Sequence, residues 1–392
     1  MRKLVLILAI LTIVLPALAA KRVTLSEFEQ ILAAHHRKPD ADVAALITQL
    51  ELTERPSDAW RKRMDAELPG VAARDSLVAL ADKADFLNPP ATEIPTLAPP
   101  NRAASDALVA AAKDYVSQTI PKLPNFLATR VTTRFEDMPA MDTGLYYPAK
   151  TSYEPLHVVN IYRVVVLNRD GQELVDPGDS FGKMPGSRES GLKTSGEFGP
   201  VLIALMADVF EGDVLWSRWE AGATGSLAVL HFSVPWQRSH LGLRLPALWK
   251  NLQTPPAYHG EMTIDPASGA ILRVTIEAEM TPDDPVTRAA LMVEYGPVEI
   301  GGKTFICPIR SVALSKTRII KMQHGKVNHR GWDDPNHGPQ QTELNDVQFL
   351  HYHQFRAETR IVTEGVQPTE VTPPASLPAK IPPAPQATPP GR

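Results

Sequence analysis

Five prolines in the thirteen residues from Asn88 to Pro100 divide this chain into two stretches whose apolar residues recur at different intervals. That change of period constrains the fold more than any other feature. Proline fixes φ and removes a backbone donor, so the segment suits neither a helix nor a central strand and reads as a semi-rigid linker. Ahead of it, residues 24–87 carry helical spacing. Thr24 with Glu27 makes a capping box, Leu25, Phe28 and Leu32 share the face that follows, and Pro39 stops the segment. Asp40 opens a second helix with Val43, Leu46, Ile47 and Leu50 on its apolar side. Pro56 and Ser57 restart the chain into a third, with Trp60 and Met64 one turn apart, and Gly70 separates a fourth carrying Leu77, Leu80 and Ala84. Four such helices form a small bundle or dock onto a larger domain.

Past the linker, Ser105–Gln118 reads as an alanine-rich helix, and from there apolar residues alternate. Leu127, Thr129, Val131, Thr133 and Phe135 fall on one face of a strand, with Arg130 and Arg134 on the other. Val158–Leu167 and Gln172–Val175 flank Asp170-Gly171, a hairpin signal. Residues 176–199 are glycine-rich and polar and read as a long loop, after which Pro200 opens a single apolar helix, Val201–Phe210. Strands are predicted again at Val214–Glu220, Ser226–Val234, Gly260–Ile264, Ala270–Met280, Ala290–Tyr295, Lys303–Ser315 and Asp346–Ile361, with turns at Pro266–Gly269 and Gly301-Gly302. Strands joined by short turns rather than helices imply an antiparallel meander. The expected class is α+β: a curved, open-barrel-like antiparallel sheet with one or two packed helices, preceded by a small all-α unit.

The two ends read differently. Arg2 and Lys3, the apolar run Leu4–Leu15, Pro16 and the small residues Ala17 and Ala19 have the form of a cleaved export signal over residues 1–19. The run is shorter than a membrane span, so no transmembrane anchor is expected after cleavage. Domain boundaries follow as a helical unit at 20–87, the linker at 88–100, the β-rich domain at 101–364 and a proline-rich, disordered tail at 365–392. Export to the periplasm or the medium removes the cytosolic nucleotide supply. A net charge of −4, with no basic face, excludes a nucleic-acid footprint. The single cysteine, Cys307, closes no intramolecular disulfide and reads as a small apolar residue in a buried strand.

Several groups invite chemistry. Alternation would place His351 and His353 on one face of a strand, together with Phe349 and Phe355, as a metal pair or as part of an aromatic face. His329, Asp333, Asp334 and His337 could converge within the loop His324–His337. Trp216 and Trp219, at odd spacing, point to opposite faces of a regular strand, so both faces are covered or one ring lines a cavity. Arg130 and Arg134 suit an anionic ligand or a solvated strand face. Gly296–Thr304 ends like a phosphate-binding loop, but Pro297 occupies the position of its first glycine and the setting is a hairpin. Ser187, Ser190 and Ser195 lie in the long loop without a histidine, and neither a Gly-x-Ser-x-Gly elbow nor a His-Glu-x-x-His stretch occurs. No residue is assigned a catalytic role, and no cofactor is called for.

From Gly260-Glu261-Met262-Thr263-Ile264 through the turn Asp265-Pro266-Ala267-Ser268-Gly269 to the strand ending at Arg273, and again over Val293–Pro308, the chain resembles the bacterial lipoprotein-carrier (LolA-like) fold. The likeness spans residues 257–315. It implies an incompletely closed barrel with helices against its concave face, there Ser105–Gln118 and Val201–Phe210, and an apolar hollow for acyl chains. The helical unit, the chain length and the proline-rich tail depart from that family. The sequence therefore points to an exported, non-enzymatic envelope protein that binds a lipid or other apolar ligand, a lipoprotein, or a protein of the cell envelope. The alternatives are a metal-dependent hydrolase using His351 and His353 or the His329–His337 loop, and a structural scaffold.

Overall fold

Spacing and caps place the first helices: α1 (Leu25–His35), α2 (Asp40–Ile47), α3 (Asp58–Glu67) and α4 (Val71–Lys83). In this computed structural model the described residues are 20–355 except 36, 143–149, 176–191, 193–195, 210–212, 224, 243–254, 282–283, 285 and 319–338. The leader at 1–19, the loop His324–His337 with His329 and His337, Ser187, Ser190 and Ser195, and the tail at 365–392 lie outside them. The capping box closes as read, the Thr24 amide donating to Glu27 Oε2 at 2.8 Å and the Glu27 amide to Thr24 Oγ1 at 3.2 Å. The N-terminus of α4 is capped from a distance. Asp40 accepts from the Ala72 and Ala73 amides at 3.0 and 2.9 Å, setting a negative charge at the positive end of the helix dipole. Gly70 leaves room for that carboxylate, since a Cβ there would approach Asp40 Oδ2 to 2.5 Å.

Two short strands escaped the periodicity. β1 (Lys21–Val23) and β2 (Leu50–Leu52) pair in parallel, so Leu50 belongs to a strand and not to the second helix. Three residues are too few to show alternation, and Leu50 is buried in either setting. Phe28, Ile47, Trp60, Met64 and Leu77 fill a core within this unit, the Phe28 and Trp60 rings lying 5.3 Å apart.

After the linker come α5 (Arg102–Thr119), β3 (Phe126–Met138), β4 (Met141–Asp142), β5 (Lys150–Thr151), β6 (Glu154–Arg169), β7 (Gln172–Val175) and α6 (Pro200–Val209). They are followed by β8 (Asp213–Ala221), β9 (Ser226–Val234), β10 (Tyr258–Ile264), β11 (Ile271–Ala278), β12 (Val286–Ile300), β13 (Lys303–Arg318) and β14 (Gln340–Gln354). Ten strands form one curved, open, antiparallel sheet in the order β7-β6-β3-β14-β13-β12-β11-β10-β9-β8, while β4 and β5 pair separately. The order shows how it is laid down. The hairpins of β3, β6 and β7 end at one edge, the segment carrying α6 takes the chain to the other, and a meander from β8 returns until β14 meets β3. Two-residue turns made of Asp170 and Gly171 (φ 53° and 75°) and of Gly301 and Gly302 (φ 59° and 78°) set the β6–β7 and β12–β13 registers, as the sequence suggested.

Both faces of the sheet are covered. Val293 points to the face bearing α5 and α6, whereas its neighbour Met292 points to the face bearing α4, where Ala79 packs with Phe135, Val312, Leu314 and Leu344. The helical unit is thus docked on the sheet. Trp219 fixes the linker as well, its indole N–H donating to the Ala98 carbonyl at 2.9 Å. Cys307 is 1% exposed among apolar side chains, and burial pushes its thiol up to about 12, in keeping with an inert packing role. Among the described residues no helix is long and apolar enough to cross a membrane.

Candidate functional site

The face bearing α5 and α6 combines a broad apolar surface with a buried polar centre. Ala112 and Val116 of α5, Ile120 just beyond it, and Leu202, Leu205, Met206 and Val209 of α6 pack over Leu230, Phe232, Met262, Ile276 and Val293. Asp208 anchors α6, accepting from the Tyr258 hydroxyl at 2.7 Å and the His240 amide at 2.8 Å, with the His240 ring also on its carboxylate. Contact at α5 is close: Gly269 has φ 75°, and a Cβ there would lie 2.5 Å from the Ala111 carbonyl oxygen.

Beside this apolar region, alternation along β3 brings Arg130 to the same face as Phe126 and Ala128. The split of β3 into two sets is as the sequence indicated, but the arginine side is the buried one. Arg130 is 9% exposed; its guanidinium pairs with the fully buried Glu197 at 3.5 Å and lies over the Phe349 ring. Arg134, further along, pairs with Glu343 at 3.1 Å and with Glu136. Carboxylates from separate strands and a loop thus meet both arginines, which removes the solvated-face reading. Glu173 completes the centre. Its Oε2 accepts from the Gly196 amide at 2.8 Å, and burial, reinforced by the charge of Glu197, raises its carboxyl from 4.5 to about 7. The Tyr295 hydroxyl, Asn168 Nδ2, Glu173 Oε1 and Glu197 Oε2 are buried on this face and make no hydrogen bond among the described residues. They supply donors and acceptors for a polar group beside an apolar surface.

This geometry sets a pH dependence. Glu173 holds a proton in the folded state that the unfolded chain releases above its ordinary 4.5, so stability falls as pH rises from there to about 7. Glu173→Gln is expected to flatten that slope and to stabilise the protein by about 2 kcal/mol at pH 8. Urea midpoints measured at pH 5 and pH 8 test this, and an unchanged difference between wild type and variant would refute it.

Bulges relocate the other candidates. Ser217 is an extra residue in β8 where the register against β9 shifts between Trp216 and Arg218. Trp216 therefore faces Leu230 and Trp219 faces Ala228, on one side of the sheet, with their rings 4.8 Å apart, and the opposite-face expectation fails. In β14 the register against β3 shifts between Leu350 and His353, and His351 sits at φ 52°. Phe349 and Tyr352 consequently share the inner cluster, their rings 5.1 and 6.1 Å from that of Phe198. His353 is opposite Leu127, on the other side from Phe349, and both histidines are exposed. The face shared by His351, His353 and Phe349 is thus not formed. Among the described residues no group of three or more His, Cys, Asp or Glu side chains is arranged to hold a metal.

The face bearing α4 carries an ion cluster that sequence reading missed. Asp82 and Asp85, 0% and 2% exposed, receive Arg61 at 2.8 and 2.7 Å; Arg310 reaches Asp85 at 2.8 Å, also contacts Asp82, and lies 3.3 Å from Asp346. Arg273 reaches Glu294 at 3.4 Å and donates to the Asp85 carbonyl. Asp82 lies within α4 and Asp85 just beyond it, and docking on the sheet buries them.

No protein-family profile matches the chain, and no curated protein sequence matches it. Among solved structures, a DUF1329 family protein from Desulfovibrio piger matches at a TM-score of 0.29 and 9% identity, over 64% of this chain and 92% of that one. A domain described as an outer membrane lipoprotein-sorting protein, from Vibrio parahaemolyticus, matches at a TM-score of 0.27 and 11% identity, over 63% of this chain and 93% of that one. At these identities and TM-scores no residue role or activity passes to this chain.

Proposed function

We propose that this protein is an exported, non-enzymatic binding protein of the cell envelope, taking an apolar chain on the sheet face under α5 with the polar end of the ligand at Glu173, Arg130 and Tyr295. The observation that carries the reading is how lightly α5 covers that face. Of its eighteen residues only Ala112 and Val116 are buried, and proline-containing segments bound it on both sides. Burial of Val116 is worth roughly 1.5–3 kcal/mol and of an alanine methyl far less, so lifting α5 costs little beside the apolar surface of Leu230, Phe232, Met262 and Ile276 beneath it. The leader-like residues 1–19 support export.

Organic extraction of the mature protein followed by mass spectrometry should release a co-purifying lipid, and a fluorescent sixteen-carbon fatty acid should bind saturably at micromolar concentration. Extracts free of lipid, together with unchanged probe emission, overturn the reading.

A further inference from the structure

The opposite face holds a separate cavity of about 190 Å³ between the helical unit and strands β9, β10 and β11. We propose that it binds a small oxyanion, a phosphate- or carboxylate-type group, either free or as the headgroup of a larger molecule. The hydrogen-bonding groups of its lining favour an anion. Each carboxylate on its wall already has cationic partners: Glu261 takes Arg218 on both oxygens at 2.6 and 2.7 Å, Glu277 takes Arg288 at 3.0 and 3.2 Å, and Asp85 takes Arg61 and Arg310 at 2.7 and 2.8 Å.

The donors on the same wall are less engaged. Among the described residues Arg55 makes one side-chain bond, to Glu220, which leaves the rest of its guanidinium for a ligand. Arg273 is 8% exposed; its Nε lies 3.4 Å from Glu294 without a hydrogen bond among the described residues, and its Nη2 donates to the Asp85 carbonyl. The rings of His231 and His259 lie 6.1 Å apart on the same wall, His259 with Glu279 at 3.6 Å as its ionic neighbour. Burial first, and then the charge of Arg55, lower Arg273 to about 10, so two guanidiniums repel each other across the space and an anion between them relieves that repulsion. Two arginines with two imidazoles facing saturated carboxylates suit an acceptor-only ligand. The cavity is too small for an acyl chain, and this site does not depend on the apolar face.

Calorimetric titration of the full mature protein with inorganic phosphate, acetate, glycerol 3-phosphate and a soluble short-chain phosphatidylglycerol tests the proposal. At least one should bind saturably, with affinity reduced tenfold or more in Arg55→Gln. That variant leaves Glu220 paired with Arg218, at 2.9 and 2.6 Å, and its urea midpoint should match wild type. His259→Gln should weaken binding as well. Phosphate binding as tightly as the lipid identifies a free anion; a lipid that binds tenfold tighter and is displaced by phosphate identifies a headgroup. No saturable binding of any probe, or binding unaffected by both variants, overturns the site. The fatty-acid probe titrated in parallel keeps failure of the apolar reading separate from failure of this one.

Discussion

Asp85→Ala is expected to destabilise the protein by about 3–5 kcal/mol, the scale of breaking a buried ion pair from one side. The carboxylate is 2% exposed and faces Arg61, Arg273 and Arg310 at once, so truncation leaves guanidiniums from the helical unit and from the sheet opposed across the interface. Burial alone would raise this carboxyl, but Arg310, Arg61 and Arg273 outweigh it and hold Asp85 below its ordinary 3.8. Its contribution is therefore present above that pH and lost as the medium is acidified through the lowered value. The denaturant midpoint at pH 7 should fall sharply in the single variant and recover in part in Asp85→Ala/Arg310→Met, where one of the stranded charges is also removed. A single variant within about 0.5 kcal/mol of wild type would mean that the helical unit is not held on the sheet through this cluster.

Gly260→Ala should cost about 3 kcal/mol or more, which is unusual for one added methyl group. A Cβ at this position in β10 would lie 1.8 Å from the Thr275 carbonyl oxygen of β11 and 2.8 Å from Phe232 Cζ. Backbone on one side and a fully buried ring on the other leave no rotamer that relieves the clash, so β10 must separate from β11 or the ring must leave the core. Gly242→Ala is the control, since among the described residues nothing lies within 4 Å of a Cβ there, and its midpoint should stay within about 0.5 kcal/mol of wild type. Equal effects at the two glycines would contradict the close approach of the strands.

The physical basis of what was legible is periodicity together with turn chemistry. Thr24 with Glu27, the Asp170-Gly171 and Gly301-Gly302 turns and the β3 alternation are local signals, and each forms as read. Trp216 with Trp219, and His351 and His353 with Phe349, were misplaced for one shared reason. A bulge adds a residue without marking the sequence, and every side chain beyond it changes face. The arginine side of β3 was misjudged differently. Whether Arg130 meets water or Glu197 depends on a loop residue 67 positions away, and no local pattern encodes that meeting.

From its order of residues alone the chain determined its elements: helices before the prolines, alternating strands after them, a lone buried thiol and a leader-like start. These follow from the bonding of a residue to its near neighbours, which is short-ranged and written in adjacent positions. Only the tertiary structure decided which side of the sheet each helix covers, how β14 closes onto β3, and where charges end without water. Those outcomes depend on burial, and burial of Asp85, Glu173 or Arg130 exists only once segments far apart in the chain have packed together.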